Sequence, residues 1–230
     1  MKVIGLLGGM SWESTALYYK LINEGVKRQL GGLHSARIAM VSVDFEEIEA
    51  LQVKNDWAAA GQALAGAAQQ VEAAGADFLV ICTNTMHIVA PDIQAAIDIP
   101  ILHIADATAR CIKAAGIETI GLLGTNFTME EGFYKDQLSE AYGMTVLIPP
   151  KGDRDIVHKV IYDELVLGQV KDSSRAEYLR IIHDLQERGA EGVIEGCTEI
   201  VMLVQQQHTD VPLFDTTAIH AEEAVLQALS

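Results

Sequence analysis

The chain has 230 residues, half of them hydrophobic, and a formal net charge of −16. That much apolar character supports a sizeable core and argues against disorder, while the acidic balance argues against a nucleic-acid partner. No apolar run approaches the ~20 residues that span a bilayer, and no basic amphipathic stretch marks a membrane surface.

In chain order, strand-like apolar runs are expected at residues 3–8, 36–43, 77–83 and 100–104, then at 119–125, 144–149, 192–197 and 212–215. Helix-like periodicity is expected at 14–30, 56–74, 108–115, 129–142, 156–167, 174–188 and 218–229. Several of the strands are apolar on both faces, as parallel strands covered by helices must be. Gly75, Gly116, Gly143 and Gly189 follow helix patterns and suit their C-terminal stops. Residues 44–49 read as a solvated turn and helix start, and Trp57 with the Ala-rich stretch 58–74 reads as close helix packing.

The N-terminus enters a strand pattern directly, without a charged segment, an apolar segment and a cleavage site in series. Cys82, Cys111 and Cys197 are odd in number and widely spaced, so reduced thiols in a cytoplasmic protein are expected. There is no Cys-x-x-Cys pair, and the histidines lack ligand-like spacing, so no metal is expected.

The chain also repeats itself. Ile4-Gly5-Leu6-Leu7-Gly8 recurs as Ile120-Gly121-Leu122-Leu123-Gly124. The run from Gly75 to Thr83 recurs from Gly189 to Cys197, and Ile99-Pro100-Ile101-Leu102 recurs as Val211-Pro212-Leu213-Phe214. Three echoes in one order imply two related halves facing each other across a cleft. The expected fold is α/β, with two similar three-layer αβα domains, each holding a mainly parallel four-stranded sheet, related by a pseudo-two-fold axis. The expected boundaries are 1–103 plus 216–230 for the first domain, with the last helix returning to it, and 104–215 for the second.

Ligands of parallel sheets sit beyond the carboxyl ends of the strands. Four segments end a strand with small polar residues: Gly8-Gly9-Met10-Ser11, Thr83-Asn84-Thr85, Gly124-Thr125-Asn126 and Gly196-Cys197-Thr198-Glu199. Turns of this kind expose backbone N–H groups that bind carboxylates or phosphates, although strand-to-helix turns need small residues in any case. The glycines do not match G-x-G-x-x-G, and no phosphate-binding Gly-Lys-Ser/Thr follows.

Cys197 is either an inert buried thiol or a strand-end thiol whose pKa a following helix lowers. Cys82 aligns with Gly196 in the repeat and faces away from Thr83 on a strand, so it reads as core. Cys111 reads as packing. His87, four residues after Thr83, could tune a proton relay or simply pack. Glu199 could polarise Cys197, contact substrate or act as a helix N-terminal acid.

At residues 4–11, at Thr83-Asn84-Thr85-Met86-His87 and at Gly196-Cys197-Thr198-Glu199, the chain resembles the aspartate/glutamate racemase family along its whole length. The resemblance implies a pyridoxal-independent enzyme without cofactor, often dimeric, with one cysteine per half exchanging the α-proton. In this chain the first of those cysteines falls on Thr83. The implied reaction is racemisation of aspartate or glutamate with preference for the L-isomer, Cys197 taking the proton and the Thr83 side returning one. The same alignment makes Met10, Gln52, Asn84, Thr85 and Thr198 candidate substrate contacts, with Glu199 beside them. The Asn-Pro…Pro-Asp-Arg pattern common in aspartate racemases is missing around Gln52. Alternatives on the same fold are a single-cysteine decarboxylase resembling arylmalonate decarboxylase and an isomerase resembling maleate isomerase. A further alternative is a non-catalytic amino-acid-binding protein.

Overall fold

The computed structural model describes residues 1–230. In chain order the elements are β1 (Ile4–Gly8), α1 (Trp12–Leu30), β2 (Ile38–Ser42), α2 (Phe45–Val53), α3 (Trp57–Ala73), β3 (Phe78–Ile81), α4 (Ala90–Gln94) and α5 (Ile104–Ala114). They continue as β4 (Thr119–Gly124), α6 (Asn126–Glu130), α7 (Gly132–Asp136), β5 (Thr145–Leu147), α8 (Lys151–Asp163) and α9 (Asp172–Glu187). The chain finishes with β6 (Val193–Gly196), α10 (Ile200–Leu203), β7 (Leu213–Asp215) and α11 (Thr216–Leu229). It divides into two compact units, Met1–Ala107 with Thr217–Ser230, and Thr108–Thr216.

In the first unit the strand order is β2-β1-β3, all parallel. Every residue of β1 is buried, as a central strand covered on both faces requires. Its alternating side chains feed two cores. Ile4 and Leu6, with Phe78 and Val80 of β3, pack with Tyr18, Ile22 and Val26 of α1 and with Ala221, Ala224 and Val225 of α11. Leu7, with Leu79 and Ile81, packs with Ala60, Leu64, Ala68 and Val71 of α3. Each large side chain removed from water in this way stabilises the fold by roughly 2 kcal/mol.

Local chemistry sets the helix ends. Ser11 accepts a hydrogen bond from the N–H of Ser14 to start α1, and Asp56 does the same for Ala59 at the start of α3. The small residues of α3 let it lie close to the sheet: a Cβ on Gly5 would fall 2.6 Å from the Val71 side chain.

The second unit carries the order β5-β4-β6-β7, again parallel. The two units share one connection order, with the first strand central, the second at one edge and the third on the other side. The sequence echoes fall on equivalent strands, β1 with β4 and β3 with β6.

Two expectations change. Residues 100–104 do not form a fourth strand in the first unit, which has a three-stranded sheet. The segment touches β3 through a single parallel bridge, Leu79 to Ile101. Pro100 accepts from the Leu79 N–H at 2.9 Å but has no N–H to give, and α5 begins at Ile104, so the ladder stops. The helix expected at 129–142 is broken into α6, α7 and a π-turn at Gln137–Ala141. Glu131 is extended between them (ψ 150°), and Gly132, a poor helix former, follows it. No helix is long and apolar enough to cross a membrane.

Candidate active site

In the first unit, β1 and β3 run in register to Leu7 and Ile81, so the turns that follow them emerge side by side at the carboxyl edge. The first turn depends on Gly9, whose φ is +97°. A Cβ there would meet the Val43 carbonyl oxygen at 2.2 Å, so only glycine lets the chain pass β2 at this point. The Gly9 N–H donates to Thr15 Oγ1 at 2.8 Å, and that hydroxyl donates to the Ser11 carbonyl at 2.9 Å. Met10 is buried beside this turn.

The second turn carries Thr83, half-buried, then Asn84 and Thr85, both buried. It runs into a 3₁₀ turn at Thr85–Val89. Gln52, on α2, is also buried and donates from Nε2 to the Met86 sulfur at 2.8 Å. Met10, Gln52, Asn84 and Thr85 thus gather at the carboxyl edge of one sheet. His87 is buried, with Nδ1 2.8 Å from the Thr83 carbonyl oxygen and Nε2 3.3 Å from the Ile104 amide nitrogen. Both ring nitrogens are therefore engaged by backbone groups.

Cys82 is buried, and its Sγ lies 3.9 Å from the Val80 carbonyl oxygen. Burial holds its thiol far above the ordinary cysteine range. Cys111 lies on α5 as part of a helix but is exposed rather than packed, contrary to its reading from the sequence.

In the second unit, Gly124 of β4 and Gly196 of β6 are register partners. A Cβ on Gly196 would fall 2.8 Å from the Leu123 carbonyl oxygen, so position 196 has no room for a side chain. The turns Thr125-Asn126 and Cys197-Thr198-Glu199 leave it together. The half-buried Cys197 donates its S–H to Glu199 Oε2 at 2.9 Å.

The acidity of this thiol runs opposite to the sequence expectation. Burial first, and then the Glu199 carboxylate, push the Cys197 thiol well above 9. The helix that was to lower it, α10, is four residues long, and its weak dipole is outweighed by an adjacent negative charge. In the resting protein Cys197 is therefore a protonated thiol hydrogen-bonded to the Glu199 side chain. A thiolate formed there is a stronger base than a free cysteine would supply.

Sequence reasoning passed over Glu195. It lies on β6, is 3 % exposed, and its Oε1 has no hydrogen-bond partner. Its neighbour across the ladder is Asp215 of β7. Burial, followed by the Asp215 charge, pushes its carboxyl up to about 8. The repeat carried a signal, because Glu195 falls where the first half has Ile81.

A family model described as Asp/Glu/Hydantoin racemase matches residues 7–224. The chain is 56 % identical to a candidate Asp/Glu racemase from Yersinia pestis, whose crystal structure superposes with a TM-score of 0.96 and full coverage of both chains. An aspartate racemase homologue from Pyrococcus horikoshii OT3 is 32 % identical, with a TM-score of 0.86 and full coverage of both. The broad specificity amino-acid racemase RacX of Bacillus subtilis (strain 168) is 23 % identical over 172 residues, 71 % of this chain and 70 % of that protein. The thiol–carboxylate pair and the small-residue turns at both sheet edges therefore sit in a chain that belongs to the Asp/Glu/hydantoin racemase family of pyridoxal-independent isomerases.

Proposed function

We propose that the protein racemises L-aspartate or L-glutamate, with Cys197 removing the α-proton of the L-isomer and the Thr83 side supplying the proton of the D-product. The observation that carries this reading is the Cys197 S–H donated to Glu199 at 2.9 Å. As substrate binds, the thiol proton passes to the Glu199 carboxylate, and the thiolate takes the proton from the α-carbon; Glu199 then releases its proton to solvent, and the Thr83 side draws from solvent the proton it delivers. With Glu199 neutral, burial still keeps the sulfur more basic than a free thiolate, which suits an α-hydrogen that is itself very weakly acidic. The N–H of Met10 and the amide and hydroxyl groups of Asn84, Thr85 and Thr198 are the proposed contacts that stabilise the carbanion-like state, with Gln52 beside them.

The asymmetry of the pair supports the L-preference. In the proposed reaction a thiol, Cys197, takes the proton, and where the family has its other cysteine this chain has a hydroxyl, Thr83, which is far less acidic and a poor general base. Cys82 offers no substitute, because its sulfur is sealed in the core. The family resemblance implies a homodimer as the working assembly.

The test is proton NMR of L- and D-aspartate and glutamate in heavy water. Wild type is expected to lose the α-signal from the L-isomer and to form deuterated D-product. Cys197→Ala is expected to lose exchange altogether, and Thr83→Cys to gain activity on the D-isomer. Undiminished turnover in Cys197→Ala would reject the mechanism.

A further inference from the structure

The position of every proton on the His87 ring follows from its neighbours. Nδ1 lies 2.8 Å from the Thr83 carbonyl oxygen and 3.3 Å from that of Asn84. Carbonyls only accept, so Nδ1 carries the hydrogen. Nε2 lies 3.3 Å from the Ile104 amide nitrogen, which only donates, so Nε2 presents its lone pair. That amide belongs to the first residue of α5, where helix N–H groups have no partner within the helix. His87 thus ties the turn that carries Thr83 and Asn84 to the start of a helix, and both of its nitrogens are used in doing so.

The surroundings hold the ring in this one state. His87 is 1 % exposed. His103 and His220 stand edge-on to it, with ring centroids 4.6 and 5.9 Å away. His220 donates from Nε2 to the Leu102 carbonyl at 2.7 Å and accepts from the Tyr18 hydroxyl at 2.9 Å. His103 accepts the Ala105 N–H at its Nδ1, 3.2 Å away. Burial, and then the two neighbouring imidazoles, keep His87 neutral well below 6.5. A second proton would have to enter at Nε2, against the Ile104 N–H that already points there.

We infer that His87 is a positioning residue rather than a proton carrier: its fixed tautomer holds the Thr83–Asn84 turn in the geometry that returns a proton to the substrate. The hydrogen bond to the Thr83 carbonyl fixes the peptide between Thr83 and Asn84, and with it the direction of the Asn84 N–H. A loosened turn would leave proton removal at Cys197 intact and impair proton return on the Thr83 side. This inference rests on the racemase reading proposed above.

The experiment follows two signals in one heavy-water sample that starts from the L-isomer. One is loss of the α-proton from remaining L-substrate, which reports Cys197. The other is appearance of D-product, which reports the Thr83 side. His87→Phe, which fills the site without either hydrogen bond, is expected to lower D-product formation by about tenfold or more relative to exchange. His87→Gln, which keeps a donor and an acceptor, is expected to recover part of that ratio. A ratio equal to wild type in His87→Phe would overturn the inference. So would a nitrogen–proton NMR measurement on wild type that finds the His87 hydrogen on Nε2, or finds the ring titrating between pH 6 and pH 9. If wild type exchanges no α-proton at all, the racemase reading fails instead, and the tautomer measurement still decides whether the ring is locked.

Discussion

Replacing Glu195 with glutamine is expected to stabilise the protein at alkaline pH and to leave it unimproved at acid pH. The carboxyl sits in the middle of β6, 3 % exposed, with one oxygen unpartnered and Asp215 beside it across the ladder. Its pKa rises from an ordinary 4.5 to about 8, because burial and then the Asp215 charge oppose ionisation. Below pH 4.5 the side chain is protonated both folded and unfolded, so it adds no pH dependence. Between 4.5 and 8 the unfolded chain ionises while the folded chain keeps its proton. Stability therefore falls as pH rises through that window and levels off above it. At 1.36 kcal/mol for each tenfold change in the protonation equilibrium, the loss reaches at most about 5 kcal/mol. An amide in the same place does not ionise, but burying it without a full set of partners costs about 1–3 kcal/mol. The net gain of Glu195→Gln at pH 8.5 is then on the order of 2 kcal/mol, and near pH 5 the sign reverses. Urea denaturation at pH 5, 7 and 8.5 measures it, provided the slope with denaturant is unchanged. A difference between variant and wild type that stays constant from pH 5 to pH 8.5 would refute a protonated buried carboxyl.

Glu199→Gln removes both the acceptor of the thiol proton and the charge that keeps the thiol protonated. In a Cys111→Ser background, which deletes the exposed thiol, alkylation of Cys197 at pH 8 is expected to speed up. α-Proton exchange should slow by about a hundredfold, the scale of a lost general base, and the two rates rising or falling together would contradict the assigned role. Gly9→Ala puts a Cβ 2.2 Å from a backbone oxygen at a φ of +97°, a strain of about 2–4 kcal/mol. A melting temperature lowered by about 5 °C or more is the expected reading, and an unchanged one would mean that the turn after β1 yields freely.

The order of strands and helices was legible because burial imposes a period on the sequence. Apolar runs such as Ile4–Gly8, five residues buried on both faces, announce a central parallel strand. Gly75, Gly116, Gly143 and Gly189, read as helix stops, all have positive φ, between 68° and 103°. The repeat led to equivalent strands in the two units and to Cys197 at the end of one of them. Its limits appear at Pro100, where the echo of the sequence outlasts the echo of the structure. The echoed segment in the second unit forms β7, but in the first it makes a single bridge. Similarly, apolar spacing from 129 to 142 suggested one helix, and the extended backbone at Glu131 divides it.

The alternation of β and α, the doubling of the chain, and the small-residue turns at the carboxyl ends of strands can all be read from the amino-acid order alone. All three follow from residue type and spacing along a single segment. The fold adds that the Cys197 thiol is held protonated, that Glu195 keeps its proton to about 8, and that both nitrogens of His87 are engaged by backbone groups. Those are matters of desolvation and of partners brought close from distant parts of the chain, as when His220 reaches the carbonyl of Leu102. A proton's position depends on the groups within a few ångströms of it, and local sequence spacing does not record which groups those are.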